Sequence, residues 1–118
     1  MTQKIKRGEI YYTDLGETLG SEQDGYRPCV VIQNDRGNLH APTTQIIPLT
    51  TQNKKSYLPT HVFVSSACGL DSDSIAHAEQ IRTVDKERIG LYVGNISKTE
   101  QTAIDKAMAI SVGLKVSA

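Results

Sequence analysis

Gly25-Tyr26-Arg27-Pro28-Cys29-Val30-Val31-Ile32-Gln33-Asn34-Asp35 decides the fold. From Pro28 to Gln33 the run is apolar and β-branched, which suits a pleated backbone, and it is bounded by Gly25 and by the turn-forming cluster Asn34-Asp35-Arg36-Gly37-Asn38. It reads as a central strand with an arginine at its mouth. Delivered there by Gly25 and held in backbone by Pro28, the planar five-donor fork of Arg27 is well placed to meet phosphate.

Outward from this strand, short apolar runs alternate with turn residues. Gly8 to Asp14 has the alternation of a half-buried strand, and Gln45 to Thr51 and His61 to Ser65 follow, joined by the polar segment Gln52 to Ser56. Ser74 to Val84 is long enough for one bent strand or two joined by a bulge, Leu91 to Ile96 adds another, and residues 67–73 read as loop. Asp85-Lys86-Glu87-Arg88 has the form of one helical turn capped by Asp85. The one full helix starts at Ser97, because Ser97-Lys98-Thr99-Glu100 is a capping box, and Ala103, Ile104, Ala107, Met108, Ile110 and Leu114 recur as its apolar stripe. In 118 residues this predicts one domain, residues 1–118, built mainly of β-strands as a small, strongly bent antiparallel barrel with a C-terminal helix.

Composition narrows the function. No apolar run approaches the ~20 residues of a membrane span, and Met1-Thr2-Gln3-Lys4 has no apolar segment behind it, so a cytoplasmic protein without membrane contact is expected. Cys29 and Cys68 form no metal or redox spacing, and Cys29 suits a small core position. No two of His40, His61 and His77 show a spacing that would set them on one ion; neither a metal nor a cofactor is expected. Thirteen basic residues cancel thirteen acidic ones, which argues against holding duplex nucleic acid by general attraction. Between Gly25 and Val62, however, Arg27, Arg36, Lys54 and Lys55 face only Asp35, which favours a short anionic ligand.

The loop Asp14 to Asp24 sets Leu19, Ser21, Glu22 and Gln23 beside Arg27. Gly-bounded, it is suited to closing over a ligand. Gln23, Asn34, Asn38, Glu79 and Gln80 supply the carboxamides and carboxylate with which single-stranded bases are read on their Watson-Crick edges; each is equally well a solvated turn residue. Lys54 and Lys55 face solvent and draw phosphate toward the loop. With aromatic residues at 5% and no tryptophan, recognition rests on hydrogen bonds rather than stacking. On the residues alone, a weak strand-end ion pair of Arg27 with Glu22 or Asp24 is an equal reading of that arginine, and Arg82 is set either to pair with Asp85 or to brace the barrel.

Five blocks occur together in order: the Gly20 to Asp35 segment, Lys6-Arg7-Gly8-Glu9-Ile10-Tyr11, Pro42 to Thr50, Leu58-Pro59-Thr60-His61-Val62 and Glu79 to Ile89. Over about residues 4 to 114 the chain resembles the MazF/PemK family of toxin endoribonucleases. The resemblance implies an SH3-like barrel with appended helices, a homodimer, metal-independent cleavage of single-stranded RNA through the 2′-hydroxyl, and a cognate antitoxin that occludes the RNA groove. It places the family's catalytic arginine on Arg27 and its catalytic threonine on Thr50, where a β-forming strand end is the bland reading and Thr51 the neighbour a register slip would substitute. The chain departs from the family pattern at Asp24 and Tyr26, which flank Gly25, and at His77, where an apolar residue is commoner. Two other functions fit the fold: a non-enzymatic gyrase poison of the CcdB type, whose C-terminal tryptophan is missing here, and an RNA-binding barrel without cleavage.

Overall fold

Strand β2 (Tyr26–Val31) lies between β1 (Glu9–Asp14) and β3 (Thr43–Thr50). The computed structural model that defines them describes residues 4–51 and 58–116. Both pairings are antiparallel, with Ile10 opposite Val30 on one side and Cys29 opposite Pro48 on the other. Residues from both faces of β2 are buried. Val30, and Ile32 just beyond its end, enter one core with Ile10, Ile47, Leu49, Val64 and Ala76, while Cys29 and Val31 enter a second with Tyr11, Leu15, Ile46 and Val84. Burial on both faces is why this stretch reads as a continuous rather than alternating apolar run. Cys29 is a core residue as expected, and burial pushes its thiol up to about 12 against the opposing hydrogen bond with Thr13.

β3 is shared. Its start pairs with β6 (Arg82–Asp85), Thr43 opposite Asp85, and its end pairs with β5 (Ser74–His77), Thr50 opposite Ile75. The predicted Ser74 to Val84 segment is therefore two strands, separated by a 3-10 turn at Ala78–Gln80 rather than by a bulge. β4 (His61–Val64) pairs with β5, and β7 (Ile89–Asn95) pairs with β1. The order β4-β5-β3-β2-β1-β7, with β6 on β3, ends at β4 and β7, so the bent sheet stays open instead of closing into a barrel.

Helix α2 (Lys98–Ser111) begins with the predicted capping box: Ser97 Oγ accepts from the Glu100 amide at 3.1 Å and Glu100 Oε1 accepts from the Ser97 amide at 2.9 Å. The other carboxylate oxygen accepts from the Ser65 amide at 2.8 Å, which ties the helix start to the end of β4. Ile104 and Ala107 are buried against the first core, whereas Leu114 lies beyond the helix and is exposed, because the chain turns at Gly113. The cluster after Gln33 is not merely a turn. It forms a short helix, α1 (Asp35–His40), capped by Asn34, whose Oδ1 accepts from the Gly37 amide. Asp85 caps the 3-10 turn Lys86–Arg88 as expected, and the predicted loop 67–73 begins inside a 3-10 turn, Ser66–Cys68. The predicted 52–56 connection and Lys55 lie outside the described residues.

At Gly94 the backbone of β7 touches the Ser66–Cys68 turn so closely that an added Cβ would sit 1.7 Å from the Cys68 carbonyl oxygen. Gly94→Ala must push two backbones apart, and a loss of about 2 kcal/mol or more is expected, read as a lower denaturant midpoint at unchanged slope. Equal midpoints for the two proteins would contradict this contact.

Candidate functional site

Arg27 and Thr50 are far apart in sequence and come to one side of the sheet through strand register. The β2–β3 ladder ends at Cys29 opposite Pro48, and Arg27 and Thr50 each lie two residues beyond that last pair on their antiparallel strands. Alternation gives the face: Arg27 shares it with Cys29 and Val31, Thr50 with Ile46, and these belong to the second core, away from α2. Thr13, opposite Arg27, and Ile75, opposite Thr50, complete the row. Thr50 is 9% exposed. The guanidinium does not pair with Glu22; its Nε donates to the Asp24 carbonyl at 2.8 Å, its NH1 donates to Gln23 Oε1 at 2.5 Å, and the Asp24 carboxylate stands 3.9 Å away.

The loop beside it is closed at its neck, where the Leu15 amide donates to the Gly25 carbonyl and the Gly25 amide to the Gly16 carbonyl. Gly25 has φ +79°, a left-handed turn that delivers Arg27 to the strand and that a side chain would strain. The loop is docked by Gln80, whose Oε1 accepts from the Gln23 amide at 3.3 Å and whose Nε2 donates to the Ser21 carbonyl at 3.4 Å. Between loop and strands runs a groove of about 790 Å³ lined by Leu19, Glu22, Gln23, Glu79, Gln80 and Arg82, among others. Arg82 does not pair with Asp85. It donates to the Leu15 carbonyl and brings a cation to the groove wall.

Of the predicted base-reading residues, Gln23, Glu79 and Gln80 thus line one groove with the loop residues Leu19 and Glu22, and Ser21 stands at its edge; Glu22 spends one carboxylate oxygen capping the Leu19 amide. Asn34 and Asn38 do not belong there, because they follow the far end of β2. Asn38 is buried, 3% exposed, donating to the Gln33 carbonyl and accepting from Gln33 and Thr44, while Asn34 caps α1. Arg36 lies on α1 as well, so the basic stretch of the sequence is not one patch. Lys54 lies outside the described residues.

What sequence spacing missed is a histidine pair. His61 and His77 are cross-strand partners in the β4–β5 hairpin, their rings stacked with centroids 4.0 Å apart and planes at 4°. His61 Nε2 lies 2.7 Å from Glu79 Oε2, and His77 Nδ1 lies 3.9 Å from the same oxygen and 3.4 Å from Gln23 Nε2. Hairpin pairing across an intervening 15 residues is the signal that could have found them. Burial first, and then His61, hold His77 below the ordinary histidine value, with Glu79 opposing. Burial pushes Glu79 up, but hydrogen bonds from His61 and the backbone outweigh it and leave its carboxyl below the usual range. His61, His77 and Glu79 bring three ligand-type atoms within 4.8 Å of one another, a juxtaposition that sequence spacing did not indicate. Parallel rings, however, aim their lone pairs along parallel planes, and both can serve one ion only after a ring turns.

Residues 6–112 match the family described as PemK-like, MazF-like toxin of type II toxin-antitoxin system. The chain is 41% identical over 111 residues to the endoribonuclease EndoA of Bacillus subtilis (strain 168), covering 93% of this chain and 96% of that protein. It is similar to an endoribonuclease from Mycobacterial species solved in complex with its cognate antitoxin, at 26% identity and TM-score 0.81, covering 96% of this chain and 99% of that one. Its fold is also that of MazF from Deinococcus radiodurans, at 19% identity and TM-score 0.83, covering 95% and 99%.

A folded-state His77 with a depressed value binds its proton less readily than the unfolded chain does, so stability falls as pH drops below about 6.5 toward the folded value. His77→Gln should therefore lose less melting temperature than the wild type between pH 7 and pH 5.5. Identical slopes in the two proteins would place His77 in an unperturbed environment.

Proposed function

We propose, from the premise that this chain belongs to the PemK-like, MazF-like toxins of type II toxin-antitoxin systems, that it is an endoribonuclease that cuts single-stranded RNA at a short specific sequence by attack of a ribose 2′-hydroxyl on the adjacent phosphorus. What supports this reading is that Arg27 and Thr50 lie on one side of the sheet, Arg27 bonded to Gln23, which lines the groove. Such a reaction builds negative charge on a pentacoordinate phosphorus, and fixed donors aimed at that charge supply much of the rate. Arg27 stabilises it through two parallel N–H groups, and the Thr50 hydroxyl donates to a non-bridging oxygen or orients the nucleophile. Gln23, Glu79 and Gln80 read the flanking bases by their edges.

The mycobacterial relative is held by a cognate antitoxin, and the same reading gives this chain an antitoxin that covers the groove around Leu19, which is 83% exposed. Assembly as a homodimer belongs to this reading. No helix among the described residues is long and apolar enough to cross a membrane, which fits action in the cytoplasm.

Incubation with mixed single-stranded RNA tests the chemistry. The products should carry 2′,3′-cyclic phosphate or 3′-phosphate and 5′-hydroxyl ends, and EDTA should not inhibit; loss of cutting in EDTA, restored by magnesium, would refute the mechanism. Arg27→Ala should lose about 100-fold or more in turnover, and Arg27→Lys should recover little of it, because a point charge cannot reproduce a bidentate fork. Thr50→Val, which keeps the branched shape, should lose about 10- to 1000-fold while Thr50→Ser retains much of the activity. A folded Thr50→Val protein that cuts at the wild-type rate would return Thr50 to a strand-forming role.

A further inference from the structure

Cleavage through a 2′-hydroxyl needs a group that takes its proton, and a guanidinium with a pKa above ~12 is unsuited to that. From the arrangement around the histidine pair we propose that His77 is the proton acceptor of the cleavage step, an inference that rests on the endoribonuclease reading above.

Placement is the first reason. His77 lies two residues along β5 from Ile75, the partner of Thr50, and so points to the same face as Thr50 and Arg27. The second reason is what now occupies the space between these groups. A guanidinium only donates, so Arg27 NH1 meets the carbonyl oxygen of the Gln23 carboxamide at 2.5 Å, and the amide nitrogen on its other side donates to His77 Nδ1 at 3.4 Å. One planar group therefore offers an acceptor to the arginine and an N–H to the imidazole. A ribose-phosphate unit offers the same pair: a non-bridging oxygen for Arg27 and a 2′-hydroxyl for the bare lone pair of Nδ1. Backing is the third reason. His61, anchored on Glu79, stacks flat on the imidazole and holds its plane. The charged and titratable groups facing His77 are thus His61 from β4, Glu79 from the 3-10 turn, and Arg27 from β2 with Asp24 behind it.

In the step, O2′ bonds to phosphorus as the P–O5′ bond breaks, and the 2′ proton passes to His77 Nδ1. The electron pair of the broken bond leaves on O5′, which takes a proton from water; the hydroxide so formed removes the proton from the imidazolium. Positioned acid-base groups contribute about 100- to 10,000-fold.

Single-turnover cleavage of mixed single-stranded RNA between pH 5 and pH 9 tests the assignment on the full chain. The wild-type rate should rise with pH along a limb that levels before neutrality. His77→Gln should be slower by about 100-fold or more and lose that limb, and added imidazole should restore part of the rate of His77→Ala. A folded His77→Gln protein with the wild-type rate and limb would overturn the assignment, as would a wild-type profile that is flat across this range, which needs no variant. Wild-type protein that leaves RNA uncut at every pH would overturn the nuclease reading and this inference together, whereas unchanged cutting by His77→Gln removes only His77.

Discussion

The structure depends on one constraint, the burial of residues from both faces of β2. Cys29, Val30 and Val31 are wholly inaccessible, so the strand cannot slide or turn without moving apolar groups from both cores toward water. Each buried residue of this size represents about 1.5–3 kcal/mol of transfer free energy. Such a strand makes a rigid base for its own first residues. Arg27, only two positions upstream of Cys29, inherits that rigidity while its side chain stays partly accessible, which is how a long flexible side chain becomes a preorganised one.

The two cores divide the labour. Helix α2 covers the first, pinned by Glu100, which serves its own N-terminus with one oxygen and the Ser65 amide with the other. The groove lies outside both cores, walled by the loop after β1 and by the 3-10 turn and first residue of β6. The bend of β3, which changes partner from β6 to β5 along its length, lets Thr50 approach Ile75 while Ile46 stays beside Arg82. The site is therefore the place where the sheet changes direction, and the 3-10 turn Ala78–Gln80 that fills the bend brings in Glu79 and Gln80.

Much of this was legible because it is local. The Ser97 capping box, the Asp85 cap, the β-branched run and the glycine that delivers Arg27 each act within a few residues. Asn34 to Asn38 misled because residues that form turns also cap and initiate helices, and what made Asn38 structural was its bonding to the flanking strands, with the Thr44 hydroxyl 2.7 Å from its side-chain oxygen. His61 and His77 escaped the helix and strand spacing rules because hairpin register, which pairs residues across two strands, brings them face to face. Leu114 obeyed the helical period but fell after the helix had ended, where period carries no information.

Charge alone does not explain how such a groove would select its ligand, since Glu17, Glu22 and Glu79 line it beside Arg82. The hydrogen-bond pattern does more. Gln23 satisfies Arg27 and His77 at once, and Gln80 holds the loop in that position, so an incoming ligand must replace contacts on both sides of the carboxamide. A simple anion replaces only the acceptor and leaves the imidazole lone pair without its donor. A ligand that carries a hydroxyl close to an anionic oxygen, as a ribose with a 3′-phosphate does, replaces both, and one lacking the hydroxyl forfeits a partnered polar group inside a partly desolvated site. On the proposed roles, discrimination of RNA from DNA would lie in the same two groups that are assigned the chemistry, and the residues along the groove would choose where on the strand it happens.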